Sequence, residues 1–163
     1  MINSTNQRII MELVPSLRMF WVENSGIVAV YVMMVVLAGY ENHDIAICSM
    51  VVVGVLSLVL LYRYWYLSKM KWTVTEKQLI SEYGVFTRDK HYIELYRIVD
   101  YCERQSFMQM VMGLKDVIVF SGDRTTPAER IYGLPSGLDI IGQLKELVEQ
   151  QKKEYHVYEI TNR

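Results

Sequence analysis

The sequence predicts an α+β chain in which a two-helix transmembrane hairpin precedes a set of closely spaced short strands, forming antiparallel meanders, a curled sheet or a barrel, and then an amphipathic C-terminal helix. Three observations carry that prediction. Residues 24–40 and 45–62 contain no Lys, Arg, Asp, Glu or His. Between residues 72 and 132, short apolar runs alternate with turn residues. After Pro135 the apolar spacing lengthens from two to three and four.

The helices come first in the chain. A membrane span needs roughly 20 apolar residues. Residues 19–40 meet that length if Glu23 sits at the interface beside Arg18, and residues 45–62 meet it without a charge. Neither run has the polar stripe that a helix buried in a soluble bundle keeps on one side. The first apolar run begins too late for a cleaved leader, and a second follows closely. The connector Glu41-Asn42-His43-Asp44 holds two acids and no Lys or Arg, whereas Arg8, Arg18, Arg63, Lys69 and Lys71 lie on the outer flanks. The positive-inside rule therefore predicts an inner (cytoplasmic) membrane protein with both termini cytoplasmic. Trp21, Tyr40, Tyr62, Tyr64, Trp65 and Tyr66 fall where amphipathic rings favour the headgroup zone. The intervals are an N-terminal cytoplasmic segment 1–18, a hairpin 19–66, a domain 67–154 and a tail 155–163, with a short linker over 63–71.

In the domain, Trp72-Thr73-Val74, Leu79-Ile80-Ser81-Glu82-Tyr83, His91-Tyr92-Ile93-Glu94-Leu95 and residues 98–104 read as strands. Val85-Phe86 extends the second past a bend. Val117-Ile118-Val119-Phe120-Ser121 is the most apolar and is predicted to be central. Residues 121–127 are rich in turn formers, and Glu129-Arg130-Ile131-Tyr132 reads as a last strand. Leu138, Ile141, Leu144, Leu147 and Val148 then share one face of a helix over 137–151, with Ser136 and Asp139 as a capping pair. The tail 155–163 has β-like patches without an evident partner.

Several short motifs occur in an ordered series: Trp72-Thr73-Val74-Thr75-Glu76-Lys77-Gln78-Leu79-Ile80, Gly84-Val85-Phe86-Thr87-Arg88, Ile93 with Arg97, Ile98 and Asp100, Gln105-Ser106, and Gly113-Leu114-Lys115-Asp116-Val117. With Pro15-Ser16 near the start, this series resembles the bacterial pleckstrin-homology-like (PH-like) membrane proteins, whose members commonly carry two helices before the domain. Glu94 stands where that family often has Pro. The resemblance covers nearly the whole chain. It implies a PH-like curled sheet closed by a C-terminal helix, and it implies little about activity.

Chemistry is sparse. His43, His91 and His156 are far apart, and Cys48 and Cys102 have no ligand spacing, so no metal site and no cofactor is expected. The cysteines are expected to be free thiols. The glycines are dispersed, which excludes a phosphate loop. Asp100 and Glu103 fall on opposite faces of a strand. Residues 72–163 hold 12 Lys+Arg and 14 Asp+Glu, which gives no footprint for nucleic acid. No catalytic residue is assigned, and the chain is expected not to be an enzyme.

Two sets remain as candidate binding residues. Lys77, Arg88, Lys90 and Arg97, with the juxtamembrane Arg63, Lys69 and Lys71, can attract anionic headgroups, although topogenic charge also accounts for the last three. Phe107, Met108, Met110 and Met112 form an apolar connector, read either as a buried helical turn or as an exposed patch touching membrane or partner. The expected function is a membrane-anchored binding or scaffold module that recruits a protein or engages membrane lipids. The alternative is a non-catalytic subunit of a transporter or secretion assembly. Homo-oligomerisation is open, since the spans lack a G-x-x-x-G pair.

Overall fold

The computed structural model of the 163-residue chain describes residues 8–39 and 43–154. Residues 1–7 of the expected N-terminal segment, the first half of the expected connector (residues 41–42) and the expected tail therefore lie outside the described residues. A short strand comes first, β1 (Ile9–Leu13), followed by two long helices, α1 (Arg18–Ala38) and α2 (His43–Lys69). Next come β2 (Lys71–Thr75), β3 (Gln78–Tyr83), β4 (Asp89–Glu94) and β5 (Ile98–Arg104). A short helix, α3 (Phe107–Met112), precedes β6 (Leu114–Ser121), β7 (Ala128–Pro135) and the last helix, α4 (Ile140–Glu154).

The strands form two antiparallel sheets ordered β1-β2-β3-β4 and β5-β6-β7. The central position expected for residues 117–121 is where β6 lies. Alternation sets which side chains enter the core, and Trp72, Leu79, Ile93, Val117, Val119 and Ile131 are all 1% exposed or less. Leu144 and Val148 of α4 bury against the same core, with Ile141 and Leu147 partly buried. These are the two long helices, antiparallel sheets and C-terminal helix that the sequence predicts.

Local chemistry corrects four expectations. The strand Ile9–Leu13 was not foreseen, yet it pairs with β2 in the register Leu13↔Trp72 and Met11↔Val74. The sheet thus takes its first strand from ahead of the helices, and both helices are inserted between two neighbouring strands. Secondly, no linker separates hairpin from sheet. The second helix continues to Lys69, and Met70 alone joins it to β2. Thirdly, Val85-Phe86 does not extend β3. Gly84 has φ +113°, and a Cβ there would lie 1.8 Å from the Thr87 carbonyl oxygen, so only glycine makes this bend. Phe86 instead stacks on Tyr62 of α2, with centroids 6.3 Å apart. Fourthly, the last helix starts three residues later than expected. Asp139 caps it, its carboxylate accepting the Gly142 N–H at 2.9 Å, and Leu138 lies outside the helix with 45% of its surface exposed.

Both long helices are long and apolar enough to cross a membrane. Their 21 and 27 residues correspond to about 31 and 40 Å at 1.5 Å per residue. Only Met19 and Asn24 of α1, and Ser49 and Leu67 of α2, are buried. Val36, Met50 and Leu58 are each about 70% exposed. A core pair in a soluble bundle would bury these side chains, so the two helices present to their surroundings an apolar surface too large for an ordinary water-soluble monomer.

Candidate binding site at the base of the hairpin

The elements converge where the helices leave the sheets. Ser16 donates its backbone N–H to the Gly133 carbonyl at 2.8 Å. Gly133 has φ +69°, and a Cβ on it would lie 2.9 Å from Met19. Beside this contact lies Asp116, which is fully buried. Its carboxylate accepts from Gln109 Nε2 at 2.7 Å, from the Gly133 N–H at 3.0 Å and from Arg130 Nη2 at 2.6 Å. A buried carboxylate is stable only with such donors around it. Gln109 is placed by a capping box, since the Ser106 hydroxyl accepts the Gln109 N–H and the Gln109 side chain accepts the Ser106 N–H. Gly113 in the left-handed conformation, φ +65°, ends α3. The Gln105-Ser106 and Gly113-to-Val117 motifs thus build one hydrogen-bonded joint between helices and sheet. The sequence showed these motifs but not their shared target.

Three open pockets surround the joint. One of about 420 Å³ is lined by Glu23, Tyr62, Arg63, Tyr66, Leu67 and Tyr132. Buried Asn24 fixes its geometry by donating to the Phe20 carbonyl at 2.8 Å and accepting from Arg63 Nη1 at 3.0 Å. Burial pushes the Tyr132 hydroxyl well above the usual tyrosine range, and this hydroxyl bonds to the Met70 sulfur. A second pocket, about 270 Å³, joins Met19, Val22 and Glu23 to Arg104, Ser106, Gln109, Asp116 and Arg130. The third, about 320 Å³, includes Lys69, Lys71, Glu82 and Arg88 among its walls. Asn24 escaped the sequence reading, because one amide in an apolar run gives no signal until its partner on the other helix is known.

The structure divides the expected basic set. Lys77 lies in the β2–β3 turn and Arg97 follows β4, both one strand length from the helices. Arg97 pairs with Glu94 at 2.9 Å and with Asp123 at 3.6 Å. Arg88 and Lys90 are at the opposite, helix-proximal end. Lys90 pairs with Glu82 at 2.7 Å, and that hydrogen bond holds its ammonium above the usual lysine range. The four residues therefore form no single site, and only Arg88 joins Lys69 and Lys71 around one pocket.

The apolar connector is the helix α3, packed by Gln109 rather than by its methionines. Phe107, Met108 and Met110 are 76%, 41% and 61% exposed, and Met112 is partly buried. Of the two readings of this segment, the exposed one describes Phe107, Met108 and Met110. Arg18 reaches the Met112 carbonyl at 3.5 Å, which sets α3 beside the first turn of α1. Among the described residues, no group of three or more His, Cys, Asp or Glu side chains is placed to hold a metal ion.

A family model described as "Bacterial PH domain" matches residues 19–148. No curated protein and no solved structure matches the chain.

Proposed function

The chain belongs to the bacterial PH domain family, and on that premise we propose that it is a membrane-anchored binding module whose helix-proximal end engages anionic lipid headgroups at the cytoplasmic face. The helices α1 and α2 cross the inner membrane, and both termini are cytoplasmic. The pairing of β1 with β2 supports this topology, because it holds the two outer ends of the hairpin side by side.

One observation carries the headgroup reading: Lys69, Lys71 and Arg88 line one open pocket where α2 meets the sheet. Lys69 ends the membrane helix α2, Lys71 opens β2 directly after it and Arg88 comes from the β3–β4 loop, so their charge gathers at headgroup depth. Each such cation contributes about 1 kcal/mol toward an anionic surface. Lys71 also lies 3.6 Å from Glu12, which tempers its share. The exposed apolar face of α3 is set against the same boundary and enters the interfacial zone.

The test uses the full chain in detergent micelles, with phosphatidylglycerol retention measured by native mass spectrometry. Replacing Lys69, Lys71 and Arg88 together by Gln lowers retention. Unchanged retention would turn the reading toward a protein partner. The anchor is tested separately by the native thiols. A membrane-impermeant maleimide leaves Cys102 unlabelled in intact spheroplasts and labels it after permeabilisation, while Cys48 stays protected within the bilayer. Labelling of Cys102 from outside would reverse the topology.

A second reading, as subunit of a larger membrane assembly, has its own support. A groove of about 570 Å³ between α1 and α2 carries Tyr31 and Ser57, whose hydroxyls lie 3.5 Å apart. A helix of another protein fits there, and a stoichiometric multispan partner in a mild-detergent purification would favour it.

A further inference from the structure

Resting on the membrane anchor proposed above, we propose that the pocket between Glu23, Arg63 and Tyr132 holds the headgroup of a zwitterionic phospholipid, its ammonium against Glu23 and its phosphate against Arg63.

Arg130 and Arg63 both act on Glu23 electrostatically, but neither comes within ion-pair distance of it. Arg130, on the far side of Glu23, is bound to Asp116 at 2.6 Å. Glu23 makes no hydrogen bond or ion pair with any described residue. Arg63 spends one N–H on Asn24. A guanidinium has five donors in a planar fork suited to phosphate, so the remaining ones are available. Glu23 and Arg63 therefore offer one acceptor charge and one donor charge in a single cavity with no net charge. A zwitterion matches both, whereas a purely anionic headgroup would set its phosphate against Glu23 without an ammonium to meet it.

Depth and walls fit a lipid better than a soluble metabolite. Arg63 directly follows the uncharged run 45–62, and Glu23 directly precedes the run 24–40, which places both at the level where apolar core gives way to headgroups. Tyr62, Tyr66 and Tyr132 are among the walls; aromatic rings of this kind attract an ammonium, although the Tyr132 ring already has the Arg130 guanidinium 6.0 Å from its centroid and Tyr62 stacks on Phe86. Below Tyr62, Leu58 and Val55 leave an exposed apolar flank on α2, 69% and 57% exposed, along which acyl chains can lie. The cavity of about 420 Å³ has room for a phosphoethanolamine-sized group.

The experiment measures phosphatidylethanolamine retention by the full chain in micelles, by native mass spectrometry. Glu23→Gln is expected to lower it about tenfold, the scale of one charge-assisted hydrogen bond, and to leave phosphatidylglycerol retention unchanged. Arg63→Gln lowers it as well. A ligand-side control needs no variant. N-acetylphosphatidylethanolamine keeps the phosphate and lacks the ammonium, and the wild-type chain is expected to hold it about tenfold less tightly than the parent lipid. Equal retention of the two lipids by wild type, or unchanged retention in Glu23→Gln, overturns the proposal. Glycerophosphoethanolamine binding as tightly as the lipid overturns the lipid source. Carbonate extraction separates this from the anchor: a chain released from membranes defeats the anchor, while an embedded chain indifferent to the ammonium defeats only the pocket.

Discussion

Asp116 shows how one side chain organises the joint. It is the acceptor shared by Gln109, Gly133 and Arg130, so Asp116→Ala strands two donors in a buried setting. Each costs roughly 1–3 kcal/mol, and we expect a loss of about 3 kcal/mol overall. Asp116→Asn, which keeps an oxygen for the Gly133 N–H, should lose less. Tryptophan-fluorescence melting of the detergent-solubilised chain measures both, and equal melting of wild type and the alanine variant would refute the assignment. Tyr101 gives a pH dependence. Burial, with a smaller effect of Glu149, pushes its hydroxyl to about 12. The folded state therefore holds that proton above the range where the unfolded chain, near pH 10, releases it. This stabilisation is complete below pH 10 and is lost as pH rises toward about 12. Tyr101→Phe should melt with a shallower alkaline decline between those values. Neither role was legible in the sequence. Asp116 was visible only as part of a motif, and burial of a tyrosine on an edge strand depends on what packs over it.

At the scale of elements, β1 and α3 decide how the domain meets the membrane. Without β1, strand β2 becomes an unpaired sheet edge, the kind of edge that recruits other chains. A fragment of residues 72–163 also loses the covering of Trp72 from Leu13, and we expect it to aggregate where a chain retaining residues 8–14 does not. Size-exclusion chromatography of the two distinguishes them. The helix α3 responds differently. Its fold rests on the Ser106–Gln109 box and on Gly113, while Phe107 and Met110 face outward. Met110→Asp should preserve the melting temperature and reduce quenching of the chain's tryptophans by brominated lipid near Trp21. Loss of folded protein would show that Met110 packs inside. The sequence marked these four apolar residues, yet it could not rank burial against exposure, since a six-residue run is too short to show a helical stripe.

For the whole molecule, the position of the hairpin inside the sheet has the largest consequence. Because β1 and β2 pair across it, the sheet closes only when both helices have returned to the same side. Replacing residues 15–69 with a short Gly/Ser turn joins β1 to β2 as a hairpin. We expect this shortened chain to be water-soluble and folded, since most of the core, Trp72, Leu79, Ile93 and Leu144 included, comes from the sheets and α4, and the long helices add only Met19 and Leu67 to its buried residues. Failure to obtain a monomer would mean that Met19 and Leu67, which belong to the same core, are indispensable.

Periodicity and charge placement act within a few residues of chain. For that reason the sequence alone determined the two long apolar helices with their uncharged runs 24–40 and 45–62, strands β2 to β7 and the apolar face of α4. Pairing acts between residues far apart in the chain. Only the tertiary structure could join Ile9–Leu13 to β2, bring Asn24 to Arg63, gather Lys69, Lys71 and Arg88 and send Lys77 and Arg97 to the opposite end. Each depends on which strand lies beside which, and a local pattern carries no information about its neighbour.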